Sequence, residues 1–291
     1  MALIIVLIAV AFEHYIGIAD HIRQFNWFNQ FQRWLENRVA RFKPWNGPVG
    51  IILTLAGPLL LIALLMWAFN QAFAPLAWLL ALIILIYTLG PQYLNPQLDD
   101  LISHLETYGA NNTDEIIAEF SFERNTANND RKLLENILIE SNERLFAVLF
   151  WFIVLGPIGA LMYRLSALLF HQQHGIHGQY AAASQHLYNI LNWPSARLVS
   201  LGNALMGNMV DAIEAWQGVE KQSFEVNEAV ICATGLSALN HTQPEAEPSE
   251  ESSSSPEDRV YWLHAVQGLI NRNLLLWLTI LGIMTLSGWL S

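Results

Sequence analysis

Residues 44–98 read PWNGPVGIILTLAGPLLLIALLMWAFNQAFAPLAWLLALIILIYTLGPQYLNPQL. These 55 residues contain no Asp, Glu, Lys, Arg or His. A soluble domain presents charged side chains to water at regular intervals, and charged residues make up about 25% of a typical one. An uncharged run of this length therefore predicts helices that lie in lipid or against other lipid-embedded helices.

The rest of the chain follows the same pattern, since 53% of its 291 residues are hydrophobic and only 13% are charged. A spanning helix needs about 20 mostly apolar residues. The N-terminal apolar helix, residues 1–19, either spans the bilayer or enters it partway. We therefore predict an all-α polytopic membrane protein with four or five transmembrane helices, four of them at residues 48–69, 73–90, 145–170 and 273–290.

The distribution of Lys and Arg predicts the orientation of the first spans. Basic residues are concentrated in 13–47 and 91–144, and the turn at 70–72 has none. The positive-inside rule places the two basic stretches in the cytoplasm and the turn outside, whereas the side of residues 171–272 stays open. Residues 13–47 also alternate arginines with aromatic residues, which predicts an amphipathic helix in the headgroup region.

Charge and motif content exclude several classes of function. The net charge of −11 argues against nucleic-acid binding, which favours a basic surface. The single cysteine, Cys232, forms no internal disulfide. Neither a nucleotide-binding glycine loop nor a zinc motif is present, so we expect no cofactor and no metal. Residues 241–258 read HTQPEAEPSEESSSSPED, which predicts a disordered acidic linker.

The segment that concentrates polar chemistry is 135–164, which reads ENILIESNERLFAVLFWFIVLGPIGALMYR. Acidic and basic residues precede its apolar part, and Tyr163-Arg164 end it. Gly156-Pro157 predicts a kink between them, because proline removes a helix donor and clashes with the preceding turn. The segment is either a wall of a polar ligand site or a membrane anchor with Arg164 reaching the headgroups.

At this point the chain resembles the AmpE family, inner-membrane proteins encoded beside the β-lactamase regulator AmpD, an amidase of cell-wall recycling. The resemblance lies in NERLFAVLFWFIVLGPIGALMYRL (142–165) and ILNWPSARLVSLGNALMGNMVDAIEAW (190–216), and also in FEHYIGIADHI (12–22). It implies one multi-pass domain over residues 1–291 in the bacterial inner membrane. The structural motif residues that it implies are Trp151, Gly156, Pro157, Gly159, Asn192 and Trp193.

AmpE is in turn similar to the CobD/CbiB membrane synthases, which join an aminopropanol unit to the corrin side chain in cobalamin biosynthesis. This chain departs from their pattern at three places. It has no Gly-Asp-Pro and His-Pro signature near the N-terminus, and Phe170 and Tyr188-Asn189 stand where the synthases have acidic residues. Nucleotide-driven amide formation usually needs carboxylates that hold Mg²⁺, so the resemblance predicts a non-catalytic relative.

Two hypotheses follow for function. The first is a signalling modulator of β-lactamase induction and cell-wall stress, with no catalytic residues, whose partners are the lipid bilayer, a small anionic ligand and cell-wall recycling or signalling proteins. The alternative is a membrane enzyme that acts on a phosphorylated or membrane-bound small molecule, with Glu13, Glu140 and Glu143 as its carboxylates. The predicted ligand-binding residues are Glu13, Glu140, Glu143, Arg144, Tyr163, Arg164 and Arg197.

Overall fold

The computed structural model describes most of the chain. The described residues are 2–16, 25–39, 47–89, 94–108, 130–172, 178–219, 226–240 and 256–288. Within them the secondary structure is helical throughout, with turns and short connections between the helices. The predicted all-α fold class is therefore confirmed.

The helices are numbered here in chain order. They are α1 (Ala2–Ile16), α2 (Asn26–Val39), α3 (Pro48–Ala72), α4 (Ala74–Thr88), α5 (Leu94–Tyr108), α6 (Asp130–Ser141), a π-helical turn (Asn142–Phe146), α7 (Ala147–Gln172), α8 (Gln179–Met206), α9 (Met209–Gly218), α10 (Asn227–Asn240) and α11 (Pro256–Leu286).

The described part of the uncharged block consists mainly of the helical hairpin α3–α4, followed by the start of α5 at Leu94. Prolines occupy the first turn of each helix, where a missing N–H costs nothing. Phe73 is extended between the helices, and its N–H donates to the Phe69 carbonyl at 2.8 Å. Large apolar side chains are exposed along α3, among them Leu60, Leu64 and Trp67. Because water would penalise such a surface, it fits the prediction that α3 lies in lipid.

Three helical stretches of the described chain are long and apolar enough to cross a membrane: Pro48–Ala72, Arg131–Gln172 and Glu257–Leu286. Two shorter apolar helices, Leu3–Phe12 and Ala74–Thr88, accompany them. This is the architecture of an all-α membrane protein. The number of crossings and the orientation of each stay predictions.

The chain divides into two compact units. The first unit comprises 1–91, 147–192 and 290–291, and the second comprises 92–146 and 193–289. In the first unit, α3 and α4 pack against α7, and α1 contacts α4. Its core also includes Phe25 and Phe28, so the amphipathic segment predicted in 13–47 is helical over Asn26–Val39 and buries part of its aromatic residues in this unit, whereas Trp27 and Trp34 are exposed.

The second unit contains α5, α6, the π-helical turn, the C-terminal part of α8, and α9 to α11. α9 pairs with α10, and α11 packs against both α5 and α6. The Asn208 side chain caps α9 by accepting from the Val210 N–H at 3.2 Å, and the Asn208 N–H donates to the Ala238 carbonyl at 3.2 Å. These contacts fix the loop between α8 and α9 to the end of α10.

Several helices differ in extent from the sequence-based expectation. α11 begins at Pro256, well before the predicted start at residue 273, and includes the end of the predicted linker. Residues 241–255 of that linker lie outside the described residues. The apolar and small residues of 193–209 also predict a helix; α8 contains most of that segment but begins at Gln179, about four turns earlier, and ends at Met206.

Candidate functional site

The π-helical turn Asn142–Phe146 carries two of the predicted ligand-binding residues, Glu143 and Arg144. All five of its residues are buried. A π-turn widens the helix by one residue per turn, and such turns occur frequently at functional sites. Sequence patterning gave no sign of it, because NERLF is compatible with an ordinary α-helix.

Glu140 and Arg144 form a buried ion pair at the start of this turn. Arg144 Nη2 lies 2.7 Å from Glu140 Oε2, and the two side chains are only 10% and 3% exposed. Glu143 is also buried, at 3% exposure. Two carboxylates and a guanidinium are therefore held within one helical turn, inside the second unit and away from water. Buried charges of this kind are costly and are concentrated at functional sites.

The predicted kink in α7 is confirmed, and it is a sharp break. Gly156 has φ 68° and ψ −158°, a conformation that is essentially restricted to glycine. A Cβ on Gly159 would lie 2.3 Å from the Trp151 carbonyl oxygen. A straight helix would separate residues 151 and 159 by about 12 Å, so the two parts of α7 fold toward each other at Gly156-Pro157.

A polar network in the first unit surrounds Asn192. The Tyr163 hydroxyl donates to Asn192 Oδ1 at 3.3 Å, and Asn192 Nδ2 donates to the Tyr188 hydroxyl at 3.2 Å. Trp151 Nε1 donates to the neighbouring Leu191 carbonyl at 2.9 Å. Three of the predicted motif and ligand residues, Trp151, Tyr163 and Asn192, are thus joined at the contact between α7 and α8.

Phe170 and Tyr188 stack with their ring centroids 4.5 Å apart and their planes 1° from parallel. These are positions at which the resemblance places acidic residues in the synthases. The structure therefore brings the two substituted positions together, and an aromatic pair occupies them. Sequence reasoning noted each substitution but did not predict the contact, because the residues lie on different helices.

Arg164 is buried at 2% exposure, with its guanidinium carbon 5.7 Å from the centre of the Phe25 ring. This position corrects the anchoring interpretation, in which Arg164 extends to the headgroups. The cation instead lies inside the first unit, where an aromatic face contributes a favourable cation–π interaction.

Arg197 and Trp193 lie in the second unit on α8. Arg197 Nη1 donates to Asn227 Oδ1 at 3.2 Å, and its guanidinium lies 5.6 Å from the Trp193 ring centre. Burial lowers the pKa of Arg197 from its usual value, although an arginine stays protonated under any ordinary condition. Arg197 is positioned by these two contacts rather than by a carboxylate ion pair.

The predicted ligand residues thus occur in both units. Glu140, Glu143 and Arg144 lie together at the π-turn, and Tyr163 and Arg164 lie in the first unit. Glu13 is on α1, and its side chain lies outside the described residues. Within the described residues no group of three His, Cys, Asp or Glu side chains is suited to hold a metal ion.

Sequence reasoning missed one buried polar cluster, on α8 and α11 in the second unit. Asn273 Nδ2 donates to the Val199 carbonyl at 3.0 Å and to Asn203 Oδ1 at 2.8 Å. Ser200, which lies between Val199 and Asn203 in the sequence, is also fully buried. The available signal was the spacing of small and polar residues in 199–203, which places them on a face that another helix approaches closely.

Comparison with known proteins gives a consistent set of relatives. The family model described as CobD/Cbib protein matches residues 6–242. A cobalamin biosynthesis protein CobD of Stutzerimonas stutzeri is 29% identical over 172 residues, covering 55% of this chain and 55% of the relative. Another protein of that name, from Chromobacterium violaceum, is 30% identical over 129 residues, covering 43% and 41%. The chain spans about half the length of the curated relatives it matches, and no solved structure matches it.

These matches correct the functional expectation. A signalling modulator of β-lactamase induction and a non-enzymatic role are both contradicted, since the relatives are named for a biosynthetic pathway, which enzymes carry out. Nothing in the matches supports partners in cell-wall recycling. The family model covers far more than half of the residues. The chain belongs to the CobD/CbiB family.

Proposed function

We propose that this protein is a membrane enzyme of cobalamin biosynthesis that joins an amine to a carboxyl group of a small molecule by forming an amide. Support comes from the family match over residues 6–242 and from the names of the two relatives. The observation that carries the proposal is the buried π-turn with Glu140, Glu143 and Arg144, which places ionisable groups directly before the apolar helix α7.

Each of these groups has a task that amide formation requires. A nucleoside triphosphate is the proposed co-substrate: transfer of its phosphate to the substrate carboxylate gives an acyl phosphate, and attack of the amine on that carbon forms the C–N bond as the C–O bond breaks and phosphate leaves. The amine nucleophile must lose a proton in this step, and a buried carboxylate accepts one effectively. We assign this role to Glu143. Arg144 presents a planar cation that recognises carboxylate or phosphate oxygens. Glu140, at 2.7 Å from Arg144, orients that cation.

The residue roles proposed here are those of the side chains at the π-turn. Among the described residues, no group of three His, Cys, Asp or Glu side chains is suited to hold a metal ion. The aromatic pair Phe170–Tyr188 occupies positions at which the resemblance places acidic residues in the CobD/CbiB synthases. We infer that the catalytic carboxylates of this chain are those of the π-turn. The substrate is a small molecule with an anionic group, matched by Arg144.

Two finer assignments accompany the proposal. Within the family, the motifs at 142–165 and 190–216 resemble AmpE, and we assign the chain to that subgroup on those motifs. We also propose a multi-pass location in the bacterial inner membrane. Its support is the candidate spans at Pro48–Ala72 and Glu257–Leu286 together with the exposed apolar surface of α3.

Purified protein in lipid nanodiscs tests the reaction directly. A corrinoid with a free side-chain carboxyl, aminopropanol or its phosphate, and ATP are incubated with the protein, and the product is identified by mass spectrometry. We expect a product whose mass equals carboxylate plus amine minus one water. Glu143→Gln should lose this product.

The matched control is Glu135→Gln, because Glu135 lies on α6 in an exposed pair with Arg131 and outside the π-turn. This variant should retain activity. Absence of product from the folded wild-type protein with every amine and nucleotide supplied would contradict the proposal. Equal activity in Glu143→Gln and wild type would contradict the role of Glu143 alone.

A further inference from the structure

The break at Gly156 divides the helix into two arms whose membrane-compatible lengths are each short for a crossing. The first arm continues from α6 through the π-helical turn, and its uncharged part after Arg144, Leu145–Leu155, has eleven residues. The second arm, Pro157–Gln172, has sixteen residues. At 1.5 Å per residue these lengths are about 17 Å and 24 Å. The hydrocarbon core of a bilayer is about 30 Å thick, so neither length alone reaches from one side to the other.

The two arms together do not span the sum of their lengths across the bilayer, because they fold toward each other at Gly156. A Cβ on Gly159 would lie 2.3 Å from the Trp151 carbonyl oxygen and 2.6 Å from the Leu155 Cβ. Contacts this close across the break require the second arm to return along the first. A crossing helix with an ordinary proline kink would keep residues 151 and 159 far apart.

The tip of this fold is apolar and open. Val154 and Leu155 are 53% and 51% exposed, and apart from its chain neighbours and the adjacent backbone of the helix no atom lies within 4 Å of the position of a Cβ on Gly156. Pro157 has no N–H, so the break leaves one donor fewer to be satisfied in an apolar medium. In the second arm, directly behind the tip, Gly159 and Ala160 are buried. Exposure at the tip and burial behind it fit a segment that inserts tip first into hydrocarbon.

We propose that Ala147–Gln172 is a re-entrant helical hairpin whose tip at Val154–Pro157 lies among lipid acyl chains and whose two arms begin and end on the same side of the membrane. The proposal goes beyond the proposed enzymatic function and does not depend on it. Arg164 agrees with it, because it lies eight residues after Gly156, about 12 Å along the second arm, well removed from the tip.

Cysteine labelling in intact cells tests the two ends of the hairpin. Cys232 is first replaced by Ser, and single cysteines are then introduced as Lys132→Cys before the hairpin and Gln179→Cys after it; both native side chains are exposed. A membrane-impermeant maleimide is applied before and after permeabilisation. We expect both sites to react under the same condition, either both before permeabilisation or both only after it.

Labelling of one site before permeabilisation and of the other only after it would overturn the proposal, since it would require a crossing. If a site stays unreactive under both conditions, the cysteine is placed at an exposed neighbouring position instead, as Arg131→Cys or Ala182→Cys. The side of the membrane is then determined for each end of the hairpin. Gln71→Cys and Ser103→Cys, on either side of the apolar helix α4, are the reference pair for a crossing.

The depth of the tip is an independent measurement. A spin label at Val154→Cys in nanodiscs should be relaxed by oxygen, which concentrates in the hydrocarbon, and protected from a water-soluble nickel reagent. Ile52→Cys on α3, 64% exposed, is the matched lipid-facing control. A label at residue 154 that responds mainly to the nickel reagent, or to neither reagent because a second copy covers the tip, would contradict insertion into lipid.

Discussion

Asn273 on α11 donates a hydrogen bond of 2.8 Å to Asn203 on α8, and both side chains are fully buried in the second unit. The same amide donates to the Val199 carbonyl at 3.0 Å. Gly202 allows this approach, because a Cβ there would lie 2.1 Å from Asn273 Oδ1. The pair therefore joins two helices through polar contacts that the apolar surroundings strengthen.

Gly202→Ala should destabilise the protein because the added methyl group displaces Asn273. Overpacking of this kind costs about 1–3 kcal/mol, measured as the free energy of unfolding in a detergent titration. Gly268→Ala is the matched control on α11, since no atom lies within 4 Å of its added Cβ. If Gly268→Ala lowers the free energy of unfolding as much as Gly202→Ala does, displacement of Asn273 does not explain the destabilisation.

Arg144→Gln should destabilise the second unit strongly, because it leaves the buried Glu140 carboxylate without its 2.7 Å partner. Removal of one member of a buried pair costs about 3–5 kcal/mol. The double variant Glu140→Gln/Arg144→Gln should recover part of that loss in the same unfolding measurement.

The exposed pair Arg131–Glu135 is the control for this effect. It has the same i,i+4 spacing, but its side chains are 44% and 30% exposed. Arg131→Gln should therefore change the free energy of unfolding by about 0.5 kcal/mol or less. Similar losses for Arg131→Gln and Arg144→Gln would show that burial does not decide the outcome.

Gly156→Ala should strain the break in α7, since φ 68° with ψ −158° is accessible to glycine and hardly to other residues. Strain of this kind costs about 1–3 kcal/mol. Thermal unfolding followed by intrinsic tryptophan fluorescence measures it. Gly282→Ala, a helical glycine whose added Cβ contacts nothing within 4 Å, is the control and should be neutral or slightly stabilising.

Tyr163→Phe should lower the stability of the first unit by about 0.5–1.5 kcal/mol, since it removes the hydrogen bond to Asn192 and keeps the ring. Tyr188→Phe removes the other bond to Asn192. Because both hydroxyls contact one amide, the double variant should depart from the sum of the single effects. Strict additivity in the unfolding measurement would show that the three groups do not act as one network.

Sequence patterning alone determined the fold class, because 55 uncharged residues have no stable arrangement in water. It also predicted the kink at Gly156-Pro157, since proline disrupts a helix whatever its neighbours are. The charged residues at 140–144 predicted a polar site, because the type of a residue is known from the sequence whatever its neighbours in the fold are. It did not give the glycine conformation of the break at Gly156, the π-turn or the long extent of α11, and the signalling role inferred from resemblance was wrong.

Tertiary structure decided which of the polar residues meet. Asn203 and Asn273, 70 residues apart, share a hydrogen bond, and Phe170 stacks on Tyr188 from a different helix. Arg164 lies over Phe25 instead of at a membrane surface. Local periodicity records which face of a helix is apolar, but the partner of that face depends on helix packing between segments that are distant in sequence. That is the physical reason why the class of protein could be predicted from composition and the contacts of its site could not.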